Sequence, residues 1–156
     1  MPCSNRNLLV NGGFSRGLVP WTGSNINRLP NPVYGNDFAV LMGKAGTNER
    51  SVLKQTVPGP FEQECSYYLY FRVLNVTPQG SQARLFAAVA YLDRNQEIIR
   101  STPLLILPPQ ARELKWFPYF TIVPPPPANA RNASVIFLLQ AGVLFVDYIR
   151  LASHSN

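Results

Sequence analysis

The sequence of 156 residues is 46% hydrophobic but only 14% charged, and its 15 prolines are roughly twice the usual share. So many apolar side chains exclude a disordered or collagen-like chain, and no apolar stretch reaches the ~18 residues of a membrane helix. The net charge of +6 comes largely from 11 arginines that are scattered singly, so no nucleic-acid partner is expected. The short apolar runs likewise predict no membrane span.

Short apolar runs, separated by Pro, Gly and Asn clusters, predict strands because helical periodicity is almost absent. The predicted strands are, in chain order, Asn7–Val10, Phe38–Met42, Ser51–Val57, Ser66–Val76, Ala83–Leu92, Glu97–Arg100, Leu104–Leu107, Leu114–Val123, Ala133–Gln140 and Val143–Leu151. Pro118 lies inside one of them and predicts an edge position or a bulge, since proline cannot donate to a sheet. About eight to ten short strands predict an all-β fold, a two-sheet antiparallel β-sandwich of the jelly-roll type.

The predicted domain organisation is simple. We expect an N-terminal arm at residues 1–6, a single jelly-roll domain at residues 7–152 and a short polar tail at residues 153–156. The proline run at residues 124–127 is too short to separate two domains. Residues 1–11 show no signal peptide, which predicts synthesis in a cytoplasm or a leader that has been removed.

Three long strands are apolar on both faces, although a sandwich strand needs only one apolar face. The second face carries Tyr68 and Tyr70 on Ser66–Val76, Phe86 on the next strand and Leu138 near the C-terminus. This surplus predicts that long loops of the same chain, a ligand or another subunit cover the outer faces. We interpret it as a contact surface and expect a homo-oligomer or fibre, or docking on other surface proteins.

Cys3 and Cys65 fit no zinc-site spacing, and the residues leave three states open. The three states are two free thiols, a disulfide within the domain, and a disulfide from the N-terminal arm to a neighbouring subunit. Both cysteines are therefore candidate assembly residues.

Catalytic equipment is sparse, and an enzyme is not expected. The single histidine, His154, lies in the polar tail, where it makes a poor partner for a nucleophile. Glu62 and Glu64 are the closest carboxylate pair, but they are interpreted as solvated charges of a turn.

Two segments carry a resemblance to a known fold. Asn7-Leu8-Leu9-Val10-Asn11-Gly12-Gly13-Phe14 leads to Pro20-Trp21 near the start, and Val146-Asp147-Tyr148-Ile149 lies near the end. They resemble the opening and closing strands of galactose-binding-like jelly rolls, found in carbohydrate-binding modules of the CenC type. The resemblance spans about residues 7 to 151 and implies the fold more specifically than the function.

The same opening segment is similar to a domain of Firmicutes proteins that precedes tandem-repeat or collagen-like regions. Pro20-Trp21, the proline run at residues 124–127, Gln140-Ala141-Gly142 and Val146-Asp147 also carry this similarity. It implies a non-catalytic module of a bacterial cell or spore surface, and spore-surface proteins need no signal peptide.

The carbohydrate-binding relatives imply a structural calcium, held by a glutamate of the opening motif, backbone carbonyls and a final-strand aspartate. Here Ser15 stands at the glutamate position and Tyr148 at the second aspartate position, which leaves Asp147 as the only acidic candidate. One carboxylate makes a poor calcium site, so a hydrogen bond between Asp147 and the Asn11–Gly13 turn is preferred. No other cofactor is expected.

Two hypotheses follow. The first is a structural module that self-associates through its outer sheet faces and its N-terminal arm. The alternative is a carbohydrate-binding module, since this fold binds sugars on exposed aromatic rings. The candidate sugar-binding residues are Trp21, Tyr34, Asn36, Trp116 and Tyr119.

Overall fold

The computed structural model describes residues 3–47, 49–110 and 113–154, which form ten strands and no helix. The strands are β1 (Thr22–Ser24), β2 (Ile26–Pro30), β3 (Phe38–Met42), β4 (Ser51–Pro58), β5 (Ser66–Asn75), β6 (Arg84–Leu92), β7 (Ile98–Ile106), β8 (Trp116–Val123), β9 (Asn132–Ala141) and β10 (Leu144–His154). They build two five-stranded sheets. The first sheet has the order β1-β4-β9-β6-β7, and the second sheet has the order β2-β3-β10-β5-β8.

Every pairing between these strands is antiparallel, which confirms the predicted two-sheet sandwich. The two prolines in strand interiors, Pro103 of β7 and Pro118 of β8, lie on edge strands, whereas Pro30 and Pro58 are the last residues of their strands. An edge strand needs no amide hydrogen on its solvent side, so the edge position predicted for Pro118 is confirmed.

The strand prediction was wrong at three places. The short strands β1 and β2 were missed because the segment from Thr22 to Pro30 is polar and largely exposed. The predicted strands Glu97–Arg100 and Leu104–Leu107 are one strand, β7, that continues through Pro103. The segment Asn7–Val10 is not a strand, and only Asn7 forms an isolated bridge, to Ala152 of β10.

The core lies between the sheets and is filled by alternate residues of the long strands. On β5 the inward residues are Tyr67, Leu69, Phe71 and Val73. Strands β6, β9 and β10 contribute in the same alternating way, and Phe137 of β9 contacts Phe71 with ring centroids 5.0 Å apart. Tyr68, Tyr70, Phe86 and Leu138 therefore lie on the outer faces.

A glycine joins the N-terminal segment to the last strand. A Cβ atom on Gly12 would lie 2.1 Å from the carbonyl oxygen of Ile149, so only glycine allows this approach. The same turn accepts a hydrogen bond of 3.1 Å from the Ile149 amide. The predicted hydrogen bond between Asp147 and this turn was wrong, since the backbone of Ile149 makes the contact instead.

Both ends of the described chain make more contacts with the sandwich than the predicted arm and tail implied. Cys3 and Cys65 form a disulfide within the chain, which is one of the three open states. The amide of Asn5 donates to the hydroxyl of Ser153 over 3.0 Å. Residues 153 and 154, predicted as tail, continue β10 beside β5, while residues 1, 2, 155 and 156 lie outside the described residues.

Candidate functional site

Two aromatic residues are cross-strand neighbours on the outer face of the second sheet. Tyr70 of β5 and Phe120 of β8 are direct partners in the strand register. Phe120 is 65% exposed, while Tyr70 is partly exposed. We name the set of Tyr34, Tyr70, Arg72, Phe120 and Tyr148 the Tyr70 patch. Aromatic faces of this kind offer a platform for the C–H surface of a ligand.

The loop of residues 31–37 covers part of this face, and Asn31 holds its shape. The side-chain oxygen of Asn31, a buried residue, accepts hydrogen bonds from the amides of Val33 and Tyr34 over 2.9 and 3.1 Å. It also accepts one from the indole nitrogen of Trp116 over 3.2 Å. These bonds fix the loop to β8 and present Tyr34, which is 54% exposed.

Arg72 connects the tyrosines of the patch. Its Nε donates to the hydroxyl of Tyr70 over 2.7 Å, and its guanidinium carbon lies 4.5 Å from the ring centroid of Tyr148. The hydrogen bond to Tyr70 is the largest cause that raises the pKa of Arg72, and Tyr148 and Tyr34 contribute. The guanidinium group is therefore a permanent positive charge among aromatic rings.

A buried carboxyl group lies beneath this surface. Asp147 of β10 pairs in register with Arg72 and is fully buried, and neither of its carboxyl oxygens has a hydrogen-bond partner among the described residues. Burial raises the pKa of Asp147 to about 8, and the neighbouring Asp37 adds to the rise. At neutral pH the carboxyl group is therefore mostly protonated.

Asp37 forms hydrogen bonds both within its own loop and with the Tyr70 patch. One of its carboxylate oxygens accepts from the hydroxyl of Tyr148 over 2.6 Å, and the other accepts from the amide of Phe38 over 2.9 Å. Burial, followed by this contact with Asp37, raises the pKa of Tyr148. The Tyr148 hydroxyl thus stays protonated, and its ring stays beside Arg72.

Of the five candidate sugar-binding residues, three lie at the outer face of the second sheet or its covering loop. Tyr34 and Asn36 are exposed in the loop, and Trp116 is partly exposed beside it. Tyr119 points inward, where its ring stacks on Phe71 at 5.9 Å. The sugar-binding role expected of Tyr119 does not fit that orientation.

Trp21 belongs to the core and presents no free face to a ligand. It is 3% exposed, and its ring centroid lies 5.8 Å from that of Phe14. Its indole nitrogen donates to the carbonyl of Asn11 over 3.0 Å. Trp21 therefore fixes the opening turn to the core, and its expected sugar-binding role does not fit this position.

Sequence reasoning missed Phe120 and Arg72 as site residues. Tyr119 and Phe120 are neighbours on one strand, so they point to opposite faces, and only the strand register decides which ring faces out. The apolar pattern of β8 does not reveal that choice. Arg72 could have been found, because it shares a face with Tyr70 in the predicted alternation.

The outer face of the first sheet has a different character. A depression of about 250 Å³ lies there, and it is lined by Phe86, Ala87, Ala88, Pro103, Ile136, Leu138 and Gln140. It contains the predicted assembly residues Phe86 and Leu138, whereas Tyr68 and Tyr70 lie on the second sheet. The four residues thus do not form one surface.

The residues present do not fit the calcium site that the resemblance implies. The guanidinium of Arg28 donates to the carbonyl oxygens of Phe14 and Ser15 over 2.7 and 3.4 Å. A positive charge of the chain itself thus meets carbonyl oxygens of the opening motif. No group of three or more His, Cys, Asp or Glu residues in the described ranges could hold a metal ion. Asp147 has one neighbouring carboxyl group, that of Asp37, whose oxygens already accept hydrogen bonds from Tyr148 and Phe38, and this falls short of the oxygen ligands that calcium prefers.

The sequence matches no protein-family profile, and no curated protein matches it. Solved structures do match. The chain is similar to TmCBM61 in complex with β-1,4-galactotriose, at 17% identity and a TM-score of 0.66, covering 96% of this chain and 99% of that chain. It is also similar to a family 16 carbohydrate-binding module, at 17% identity and a TM-score of 0.61, covering 94% of this chain and 99% of that one.

A third match is the enzymatically active domain of tailspike protein 4 from bacteriophage CBA120. It has 16% identity and a TM-score of 0.72, and it covers 94% of this chain. The chain spans only 21% of that tailspike chain. At these identities the matches establish only the fold, a β-sandwich that is shared with carbohydrate-binding modules. The matching structures include both binding modules and part of a larger, enzymatically active chain.

These matches support neither self-assembly nor a link to Firmicutes surface proteins. Within the described ranges, no helix is long and apolar enough to cross a membrane.

Proposed function

We propose that this protein is a non-catalytic carbohydrate-binding module that holds sugar rings against the Tyr70 patch. The observation that carries the proposal is the pair of outward rings, Tyr70 and Phe120, on adjacent strands. Sugar rings pack their C–H faces on such rings, while nearby polar groups fix their orientation. The loop supplies those groups, since it presents the side chains of Tyr34 and Asn36 to solvent.

The fold supports this function by analogy. Its structural neighbours include modules whose names state carbohydrate binding, one of them in complex with a galactotriose. The resemblance of the opening motif to surface-protein domains supports a bacterial cell or spore surface as the proposed location.

A glycan array followed by titration calorimetry tests the proposal. We expect Phe120→Ala to weaken the binding of the best oligosaccharide about tenfold, the equivalent of ~1.4 kcal/mol of ring stacking. Tyr70→Ala should weaken it at least as much. The control is Ile98→Ala, which truncates an exposed apolar side chain of the first sheet and should leave affinity unchanged. Absence of binding to every glycan, or equal affinity of all variants, contradicts the proposal.

A second candidate function is self-association through the depression on the first sheet. The observation that favours it is the lining, in which every residue except Gln140 is apolar. Light scattering should then give a mass above 17.4 kDa that falls to the monomer mass in Leu138→Glu. A monomer of the unaltered protein at high concentration contradicts this candidate.

A further inference from the structure

Arg72 is only partly satisfied by the protein around it. Its Nε donates to Tyr70, and its plane lies near the ring of Tyr148. In the described part of the chain, neither Nη1 nor Nη2 has a hydrogen-bond partner, and Arg72 forms no ion pair. The two terminal nitrogens are therefore available to a ligand, in the fork geometry that matches a carboxylate.

The carboxyl groups nearest to Arg72 do not compensate its charge by contact. Asp147 lies opposite in the strand register, but it is buried and accepts no hydrogen bond from any residue that the structure describes. The carboxylate of Asp37 accepts from Tyr148 and Phe38. Among the described residues, Arg72 thus has no contacting counter-ion, and its charge lies on the same face as the exposed rings.

A second arginine is the neighbour of Tyr70 on the adjacent strand. Arg150 of β10 is the register partner of Tyr70, and its Nε donates to the hydroxyl of Tyr68 over 2.9 Å. Its Nη2 donates to the carbonyl of Asn5 over 2.6 Å. Tyr70 thus has one arginine two residues along its own strand and another across the strand pair, in a protein whose net charge is +6.

We propose that the Tyr70 patch selects acidic glycans, with a uronic acid ring stacked on Tyr70 and Phe120 and its carboxylate paired with the two Nη groups of Arg72. The inference rests on the proposed carbohydrate-binding function and adds the substrate class. A neutral sugar would leave the charge of Arg72 unpaired at the platform, whereas a uronate carboxylate forms charge-assisted bonds with it.

The test uses two ligands with the same rings and different charge. Oligogalacturonate and its fully methyl-esterified form are titrated into the unaltered protein and into Arg72→Gln and Arg94→Gln. Arg94 is exposed in the β6–β7 turn of the first sheet, so its removal changes the net charge equally without touching the patch. We expect the acid to bind about ten- to hundredfold more tightly than the ester, and Arg72→Gln alone to abolish this preference.

Each result decides a different statement. Equal binding of acid and ester by the unaltered protein overturns the acidic preference and leaves carbohydrate binding intact. If Arg72→Gln weakens acid and ester to the same degree, Arg72 only positions Tyr70, and the inference fails. If Arg94→Gln weakens acid binding as much as Arg72→Gln, the attraction is unspecific charge, and the inference fails. If neither these ligands nor a neutral glycan array shows binding, the proposed function fails with it.

Discussion

At the scale of single residues, the unusual chemistry lies beneath the outer face of the second sheet. Most buried polar side chains of this protein have hydrogen-bond partners, as in other folded proteins. The exceptions in the described part of the chain are Asp147, through both oxygens, and Nδ2 of Asn31. Asp147 is tolerated because it is protonated, since a buried charge without a partner would cost far more.

This protonation predicts a pH dependence of stability. The unfolded chain releases the Asp147 proton near the ordinary pKa of 3.8, whereas the folded protein holds it to about 8. Between these values the folded state binds more protons, so the free energy of unfolding falls as the pH rises, at most by about 1.4 kcal/mol per pH unit. The charged or titratable groups around Asp147 are Asp37, Arg72 and Tyr148.

Asp147→Asn should remove this slope, because the amide has no charge to bury. Urea denaturation at several pH values measures it, and Glu64→Gln, which removes an exposed carboxylate, is the control. A free energy of unfolding that does not fall between mildly acidic and neutral pH in the unaltered protein contradicts the protonated state.

At the scale of elements, the loop of residues 31–37 is a clamp and not a free connection. The amide of Asn31 donates to the carbonyl of Asp37 over 2.8 Å, and the amide of Asp37 donates to the carbonyl of Tyr34 over 3.0 Å. Together with the three bonds accepted by the Asn31 side chain, this network joins the loop to β8 through Trp116. The site therefore depends on an element that a pattern of apolar residues does not reveal.

Asn31→Ala should lower the free energy of unfolding by about 2 kcal/mol, because it leaves three N–H donors without their acceptor. Chemical denaturation measures the change. Asn36→Ala, an exposed substitution in the same loop, should change stability by less than about 0.5 kcal/mol. Equal stability of the two variants would show that the clamp contributes nothing.

At the scale of the whole molecule, the disulfide joins the N-terminal segment to the start of β5 across 62 residues of sequence. Cross-linking a loop of this length lowers the entropy of the unfolded chain and stabilises the fold by about 4 kcal/mol in the chain-entropy account. The structure thus gives Cys3 a role within one subunit.

Cys3→Ser should therefore lower the melting temperature and leave the mass on a non-reducing gel at that of a monomer. Reductant should lower the melting temperature of the unaltered protein by the same amount and have no further effect on the variant. A disulfide-linked dimer of the unaltered protein that disappears in Cys3→Ser would contradict the intrachain bond.

The local pattern of the sequence determined the class of fold and the core. Alternation along β5 is enough to separate Tyr67 and Leu69 from Tyr68 and Tyr70, because successive side chains of a strand point to opposite faces. The proline in β8 indicated an edge strand for the same local reason, the missing amide hydrogen.

Only the tertiary structure decided the site. The pairing of β5 with β8 puts Phe120 beside Tyr70 and turns Tyr119 into the core, and the loop carries Tyr34 to a face formed by strands distant in sequence. The pKa of Asp147 likewise depends on which residues exclude water from it. These features arise from contacts between distant segments, whereas the alternation of a strand is a property of neighbouring residues. For this reason the sequence alone predicts the core better than the proposed binding surface.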